Sequence, residues 1–433
     1  MMFYSDSLNV NQQGHLVIGG CDTVTLANHY GTPLYVMDEN AIRRALRDYK
    51  KSIDDNHKNG GMVTYASKAC CFKEIYRIVM QEGCGIDVVS GGELYTAMQV
   101  GFPAELIFFH GNNKSDAELR MALNYGVGRI VVDNLIELNK LSYIAIEMGK
   151  RADIYLRITP GIEAHTHDFV KTGQIDSKFG ITLENGDALQ AVKAAVKLNG
   201  ITLKGLHCHI GSQIFDEKPF EFAAQTMFNF MVEIREVTGI TLGELDLGGG
   251  FGVKYTQNDN PKKLGEYMNL VSEALKESAQ KLNFPLPYIV IEPGRSIVAS
   301  SGITLYTVGA VKDIPGVRSY VSIDGGMTDN PRYALYKAQY TVLVANKADQ
   351  PPECEYTIAG RCCESGDMIQ ENVMLQSCRH GDIIAVLSTG AYNYSMSSNY
   401  NRFPRPAVVM VKDGESRIVV KAEDYEDLVR NDL

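Results

Sequence analysis

The chain carries no C-x-x-C pair, no run of basic residues and no apolar stretch of membrane-spanning length. Its nine cysteines are scattered, with adjacent pairs at Cys70-Cys71 and Cys362-Cys363. That is neither a zinc framework nor a disulfide framework, and it points to a reducing cytoplasm. A net charge of −10 argues against nucleic acid as the main partner. The first residues lack the basic-then-apolar layout of a secretory leader, and nothing in the chain calls for a membrane partner. There is no internal repeat and no low-complexity segment. What remains is ordinary for a globular enzyme: 433 residues, 45% hydrophobic and 22% charged, enough for two domains.

The informative stretch is Met62-Val-Thr-Tyr-Ala-Ser-Lys-Ala69. Met62 to Ala66 read as a short buried strand that ends at Lys68. A lysine there is either a solvated surface charge or an amine whose proton affinity falls in a barrel mouth, freeing it to form a Schiff base. Apolar strands recur near 63–67, 85–89, 106–110, 129–132, 153–158, 203–210, 244–247 and 288–292, with helical segments between them. Ser115-x-x-Glu118 and Asn134-x-x-Glu137 have the form of capping boxes. Eight alternations predict an α/β fold with a (β/α)8 barrel, and a doubly wound sheet fits the same alternation. Lys68, Asp87, His110, Arg157, His209, Gly248 to Gly250 and Glu292 all fall at strand ends and would converge on one mouth. From about Ser296 short strands separated by turns predict a second, all-β domain. The expected boundaries are 36–295 for the barrel, and 1–35 with 296–433 for the β domain.

Several segments carry possible chemistry. In Gly205-Leu-His-Cys-His-Ile-Gly-Ser-Gln213, strand alternation puts His207 and His209 on one face. They fit a metal site, a pair of core histidines, or an imidazole stacked on a planar cofactor with Ser212 near a phosphate. Leu245-Asp-Leu-Gly-Gly-Gly-Phe-Gly252 is either a tight turn or a phosphate cradle. Tyr288-Ile-Val-Ile-Glu-Pro-Gly-Arg295 ends a strand with a carboxylate and a guanidinium. They fit a structural ion pair, or a partner for a pyridine nitrogen beside an anion clamp. Arg332 and Tyr336 sit in a polar turn-rich segment, Cys362-Cys363-Glu364 puts a thiol beside a carboxylate, and Tyr392 lies in a loop.

Together, Y-A-S-K-A, H-C-H-I-G-S-Q, L-G-G-G-F-G, E-P-G-R, D-N-P-R-Y-A-L-Y, C-E-S-x-D and T-G-A-Y resemble the diaminopimelate decarboxylases, from about Gly31 to Tyr392. These are pyridoxal phosphate decarboxylases with an alanine-racemase-like barrel. The first, third and fourth motifs are shared with ornithine and arginine decarboxylases of that fold. The resemblance implies the cofactor pyridoxal 5′-phosphate, with Lys68 holding its aldehyde, His209 stacked on its ring and Glu292 at its ring nitrogen. Ser212, Gly248, Gly249, Gly250, Gly294, Arg295 and Tyr392 would bind the cofactor. Arg295, Arg332, Tyr336, Glu364 and Tyr392 would bind meso-diaminopimelate, and Cys363 would be the proton donor. It further implies a homodimer in which Cys363 and Glu364 reach the other subunit's site, and L-lysine and CO2 as products in lysine biosynthesis. The rival readings are a decarboxylase for ornithine or carboxynorspermidine, a non-catalytic cofactor carrier, and a metal-dependent barrel hydrolase using His207 and His209.

Overall fold

The computed structural model describes residues 5–162 and 177–433, which form two compact units. One comprises Ala45–Gly252 and Pro261–Gly294; the other comprises Met1–Arg44, Val253–Asn260 and Arg295–Leu433.

The first unit is a closed parallel barrel. Its strands are β1 (Gly61–Ala66), β2 (Gly85–Val88), β3 (Ile107–Phe109), β4 (Arg129–Val132), β5 (Ala152–Thr159), β6 (Ile201–His207), β7 (Glu244–Asp246) and β8 (Tyr288–Ile291). Each pairs in parallel with the next, and β8 pairs with β1 to close the ring. Closure explains why the strands read as unbroken apolar runs. One side packs inside the barrel and the other lies under the helices, so both are dry. Phe108, Val131, Tyr155 and Val290 fill the interior as one cluster. The barrel floor is pinned at the strand starts, where Arg129 makes a two-pronged pair with Glu244 at 2.8 and 2.7 Å. Tyr155 donates to the same carboxylate at 2.6 Å.

Local signals set the helix ends. Ser115 and Glu118 form the reciprocal capping box that their spacing predicts. Asn134 caps the next helix by accepting from the Glu137 N–H, but the Glu137 side chain does not reach back. It is drawn instead to buried Lys114, 2.7 Å away, because a buried ammonium without a counter-charge costs more than an open cap.

The second unit is built on a nine-stranded sheet. Its main path runs Met368–Leu375, Cys354–Ala359, Arg318–Ile323, Gly302–Ile314, Leu34–Asp38, Ala407–Lys412, Glu415–Val420. Leu34–Asp38 pairs with both Gly302–Ile314 and Ala407–Lys412, which holds the N-terminal segment in this unit as far as Arg44. Val253–Asn260 is tied in by its backbone. The Thr341 N–H and hydroxyl donate to the Tyr255 carbonyl at 3.2 and 2.9 Å.

Glu39 links the start of a helix to the sheet in this unit. Arg43, Lys412 and Arg417 approach its carboxylate at 2.8, 3.0 and 2.8 Å. Burial alone would raise its proton affinity, but the three cations outweigh burial and lower its pKa to about 2. A carboxyl depressed on folding stabilises above its unfolded pKa, and that stability is lost as pH falls through the folded value. Glu39 therefore contributes fully above about pH 4.3 and loses its contribution as the pH drops toward 2. Lys412 and Arg417 are nearly half exposed, so the contribution is about 1–2 kcal/mol. E39Q should lower the melting temperature at pH 7 and lower it clearly less near pH 2.5, where most of the contribution has gone. An equal loss at both pH values would show that the ion pairs are not the cause.

Candidate active site

Every barrel strand delivers one polar residue at its C-terminal end. In order these are Lys68, Asp87, His110, Asp133, Arg157, His207, Asp246 and Glu292. That face of a parallel barrel is where catalytic groups gather, because the strand ends and their loops are free of packing duty.

Lys68 sits in a single helical turn, Ser67–Ala69, directly after β1. Ser67 and Ala69 are buried while Lys68 is exposed, so the turn presents the amine outward. The turn is fastened on both sides. Ser67 donates to Glu93 at 2.6 Å, and Tyr65 donates to the Cys70 carbonyl at 2.9 Å.

Glu292 is the electrostatic centre. His110 Nε2 lies 2.6 Å from Glu292 Oε1, and His207 Nε2 lies 3.2 Å from Oε2. Asp87 extends the row, 3.8 Å from His110. The two imidazoles meet edge to face at 4.9 Å. Burial would favour a neutral Glu292, but His110 and His207 outweigh it and hold the carboxyl well below the usual range. Burial pushes His207 down to about 4, so it serves Glu292 as a neutral donor. Burial also raises Asp87 to about 6. Asp246, fully buried, is raised well above the carboxylate range by burial and then by the charge on Glu292. The arrangement keeps Glu292 anionic between two imidazoles.

The glycine loop is shaped by lack of room. A Cβ on Gly249 would lie 2.1 Å from the Glu292 carbonyl oxygen. On Gly250, which has φ +108°, it would lie 2.2 Å from the Gly211 oxygen. Only glycine fits. Gly248 N–H donates to Asp246 at 2.9 Å, and Gly249 N–H donates to His209 Nδ1 at 3.3 Å. Two of the loop's amides thus hold a carboxyl and an imidazole in place. Gly294 abuts the other side of Lys68's strand, its Cβ position 2.9 Å from Ala66. Ser212 is half-buried in the loop after His209.

The strand alternation expected to put His207 and His209 on one face stops short of His209, because β6 ends at His207. His207 points to Glu292, whereas His209 takes the Gly249 N–H and feels the charges of Lys68 and Arg157. The ligand atoms that do cluster are those of His110, His207, Asp246 and Glu292, all within 4.8 Å of one another. Both Glu292 oxygens in that cluster are already approached by imidazoles.

The second unit brings together Arg295, Arg332 and Tyr392 with two tyrosines that the sequence does not single out, Tyr255 and Tyr340. Arg295 and Arg332 are each only 8% exposed. Arg295 donates to the Tyr255 hydroxyl at 2.8 Å, and Arg332 donates to the Tyr340 hydroxyl at 2.7 Å. The Arg295 guanidinium lies 4.7 Å over the Tyr392 ring, and that of Arg332 lies 5.2 Å over Tyr255. Tyr392 holds φ at +61°, unusual for a residue with a side chain. Tyr336 ends the short helix Arg332–Tyr336 and is half-buried. Among the described residues Arg332 pairs with no carboxylate, so this pocket holds a buried cation in want of an anion.

Cys363 and Glu364 are both exposed, on the loop after Ala359. The loop is wound around buried Asp367, which accepts from the N–H groups of Met327 and Cys362 at 2.6 and 2.8 Å. The Cys363 N–H donates to Asn401 at 2.8 Å. The thiol therefore projects from a rigid loop rather than a floppy one.

Residues 39–299 match the family model described as pyridoxal-dependent decarboxylase, pyridoxal binding domain, which defines the class. A diaminopimelate decarboxylase of Bacillus subtilis (strain 168) is 50% identical over 432 residues, covering 100% of this chain and 98% of its own. The one from Halalkalibacterium halodurans is 49% identical, with the same coverage. A solved diaminopimelate decarboxylase from M. jannaschii, in complex with L-lysine, superposes with a TM-score of 0.93 at 33% identity. It covers 100% of this chain and 99% of that one. The chain belongs to the diaminopimelate decarboxylase family.

Proposed function

We propose that the chain decarboxylates meso-diaminopimelate at its D-centre, giving L-lysine and CO2, with pyridoxal 5′-phosphate bound at Lys68. The observation that carries the reading is the pair of separate charge centres: a buried ionised Glu292 in the barrel and a buried Arg332 without a carboxylate partner in the β unit. The lysine bound to the M. jannaschii relative supports the product. The barrel residues fit the cofactor. They offer an amine at a strand end, an anion for a protonated ring nitrogen, and a glycine loop where a Cβ would collide with backbone. When bound, pyridoxal phosphate supplies a cationic ring that takes up the electron pair left as CO2 departs.

The protein's own residues do the rest. Lys68 would hold the aldehyde, and His209, which accepts from the Gly249 N–H, would lie against the ring. Glu292 is kept anionic by His110 and His207, so the proton stays on the ring nitrogen. Ser212, Gly248 to Gly250, Gly294 and Tyr392 would hold the cofactor's phosphate, and Arg295 would also touch the cofactor. Arg295, Arg332, Tyr336, Glu364 and Tyr392 bind the substrate. The distal amino-acid head offers a carboxylate to the guanidiniums, whereas ornithine would offer an ammonium to them and be repelled. Cys363 would give its thiol proton to the α-carbon after CO2 has left. The similarity to diaminopimelate decarboxylases supports a cytoplasmic biosynthetic enzyme. Meso-diaminopimelate labelled in the D-centre carboxylate should release all its label as CO2. Label kept in lysine would overturn the assignment of ends.

In the proposed homodimer, Cys363 and Glu364 serve the partner's site, which accounts for a rigid loop carrying an exposed thiol. C363A should load cofactor normally and slow turnover by roughly 10²–10⁴-fold, the usual worth of a general acid. Mixing equal amounts of K68A and C363A protein after subunit exchange should restore about one quarter of wild-type activity, because each hybrid dimer regains one intact site. No recovery, with hybrids shown by mass, would place both residues in one subunit's site.

A further inference from the structure

We infer that Tyr255 is a positioning residue that sets the spacing and orientation of Arg295 and Arg332, and so fixes the enzyme's preference for substrates carrying a distal carboxylate. The inference rests on the reading of those two arginines as the carboxylate receptor.

The geometry places Tyr255 between the two cations. Its hydroxyl accepts from Arg295 Nη1 at 2.8 Å, and its ring lies 5.2 Å beneath the Arg332 guanidinium. Tyr340 stands perpendicular to it at 5.4 Å and takes the other side of Arg332 through its hydroxyl. The Tyr255 backbone cannot drift, because Thr341 holds its carbonyl with both N–H and hydroxyl. Tyr255 is itself buried.

Two guanidiniums forced close together in a dry pocket repel each other and would splay apart. A carboxylate between them would cancel the repulsion, but it would also occupy the place meant for substrate. A phenol resolves this conflict. It accepts from one guanidinium and offers a ring face to the other, yet carries no full charge to compete with an incoming anion. Burial would raise the phenol's pKa, and the two guanidiniums more than offset that, holding it below the ordinary tyrosine value. The receptor is therefore preorganised before the ligand arrives, which lowers the cost of binding.

The test uses the cofactor-loaded enzyme and two probes. L-Lysine carries the distal carboxylate, and cadaverine is the same chain without it. Wild type should bind L-lysine more tightly than cadaverine by calorimetry. Y255F keeps the ring and loses the acceptor. It should weaken L-lysine about ten-fold while changing cadaverine less than two-fold, and raise KM for meso-diaminopimelate with little change in kcat. Equal weakening of both probes would reduce Tyr255 to a structural residue, and unchanged lysine binding would overturn the inference outright. If wild type itself does not distinguish the probes, the carboxylate-receptor reading fails first and takes this inference with it. Should Y255F not fold, Y340F, which removes the other phenol acceptor on Arg332, must narrow the lysine–cadaverine difference; no narrowing would contradict preorganisation by phenols.

Discussion

K68A should purify as a folded protein with no covalently held pyridoxal phosphate and with turnover reduced on the order of 10⁴–10⁶-fold. That is the scale of losing a group that acts as one unit with its neighbours. The fold should be spared, because Lys68 is exposed and the turn that carries it is fastened by Ser67 and Tyr65 instead. Borohydride reduction and peptide mapping should find a pyridoxyl group on Lys68 in wild type and on no lysine in the variant. A label on another lysine would move the covalent anchor elsewhere. Residual turnover within a hundred-fold of wild type would show that the amine is not required.

R332A should lower kcat/KM for meso-diaminopimelate by roughly 10²–10³-fold, which corresponds to truncating one member of a buried charge pair. Arg332 is fixed by Tyr340 and Tyr255, so its guanidinium is aimed before the ligand binds. Removing it leaves the ligand's carboxylate short of one fork of donors in a place that water does not reach. Lys68 should still be labelled on reduction in R332A, since the barrel groups do not depend on that arginine for their charge. Loss of the label together with activity would mean that Arg332 supports the cofactor rather than the substrate. R332K should recover only part of the loss, because an ammonium cannot reproduce the planar fork.

The barrel was legible because parallel strands covered on both faces must be apolar throughout. Met62 to Ala66 and Tyr288 to Ile291 therefore stand out as short runs ending in a polar residue. The strands Cys354–Ala359 and Met368–Leu375 were not legible. Glu355, Glu371 and Asn372 interrupt their apolar pattern, since part of each strand faces solvent. Lys68, Glu292 and the glycine loop are readable from position alone, as each follows a strand. Asp133 and Asp246 follow the same rule but carry no familiar spacing that marks them out. Tyr255 gave no local signal, because its meaning lies in Arg295 and Arg332, which only the folded sheet brings to it. Period-two reasoning holds within a strand, and β6 stops two residues short of His209, so the alternation cannot carry the His207–His209 reading.

The central claim is tested most directly by following lysine and CO2 from meso-diaminopimelate, with and without added pyridoxal phosphate, and with ornithine as the control. Equimolar lysine and CO2 that depend on the cofactor, and nothing from ornithine, are the predicted result. Release of CO2 from ornithine at a comparable rate would leave Lys68 and Glu292 in their roles but contradict the carboxylate receptor at Arg295 and Arg332. Cofactor binding with no turnover of either would contradict the assignment of the chain as a working decarboxylase.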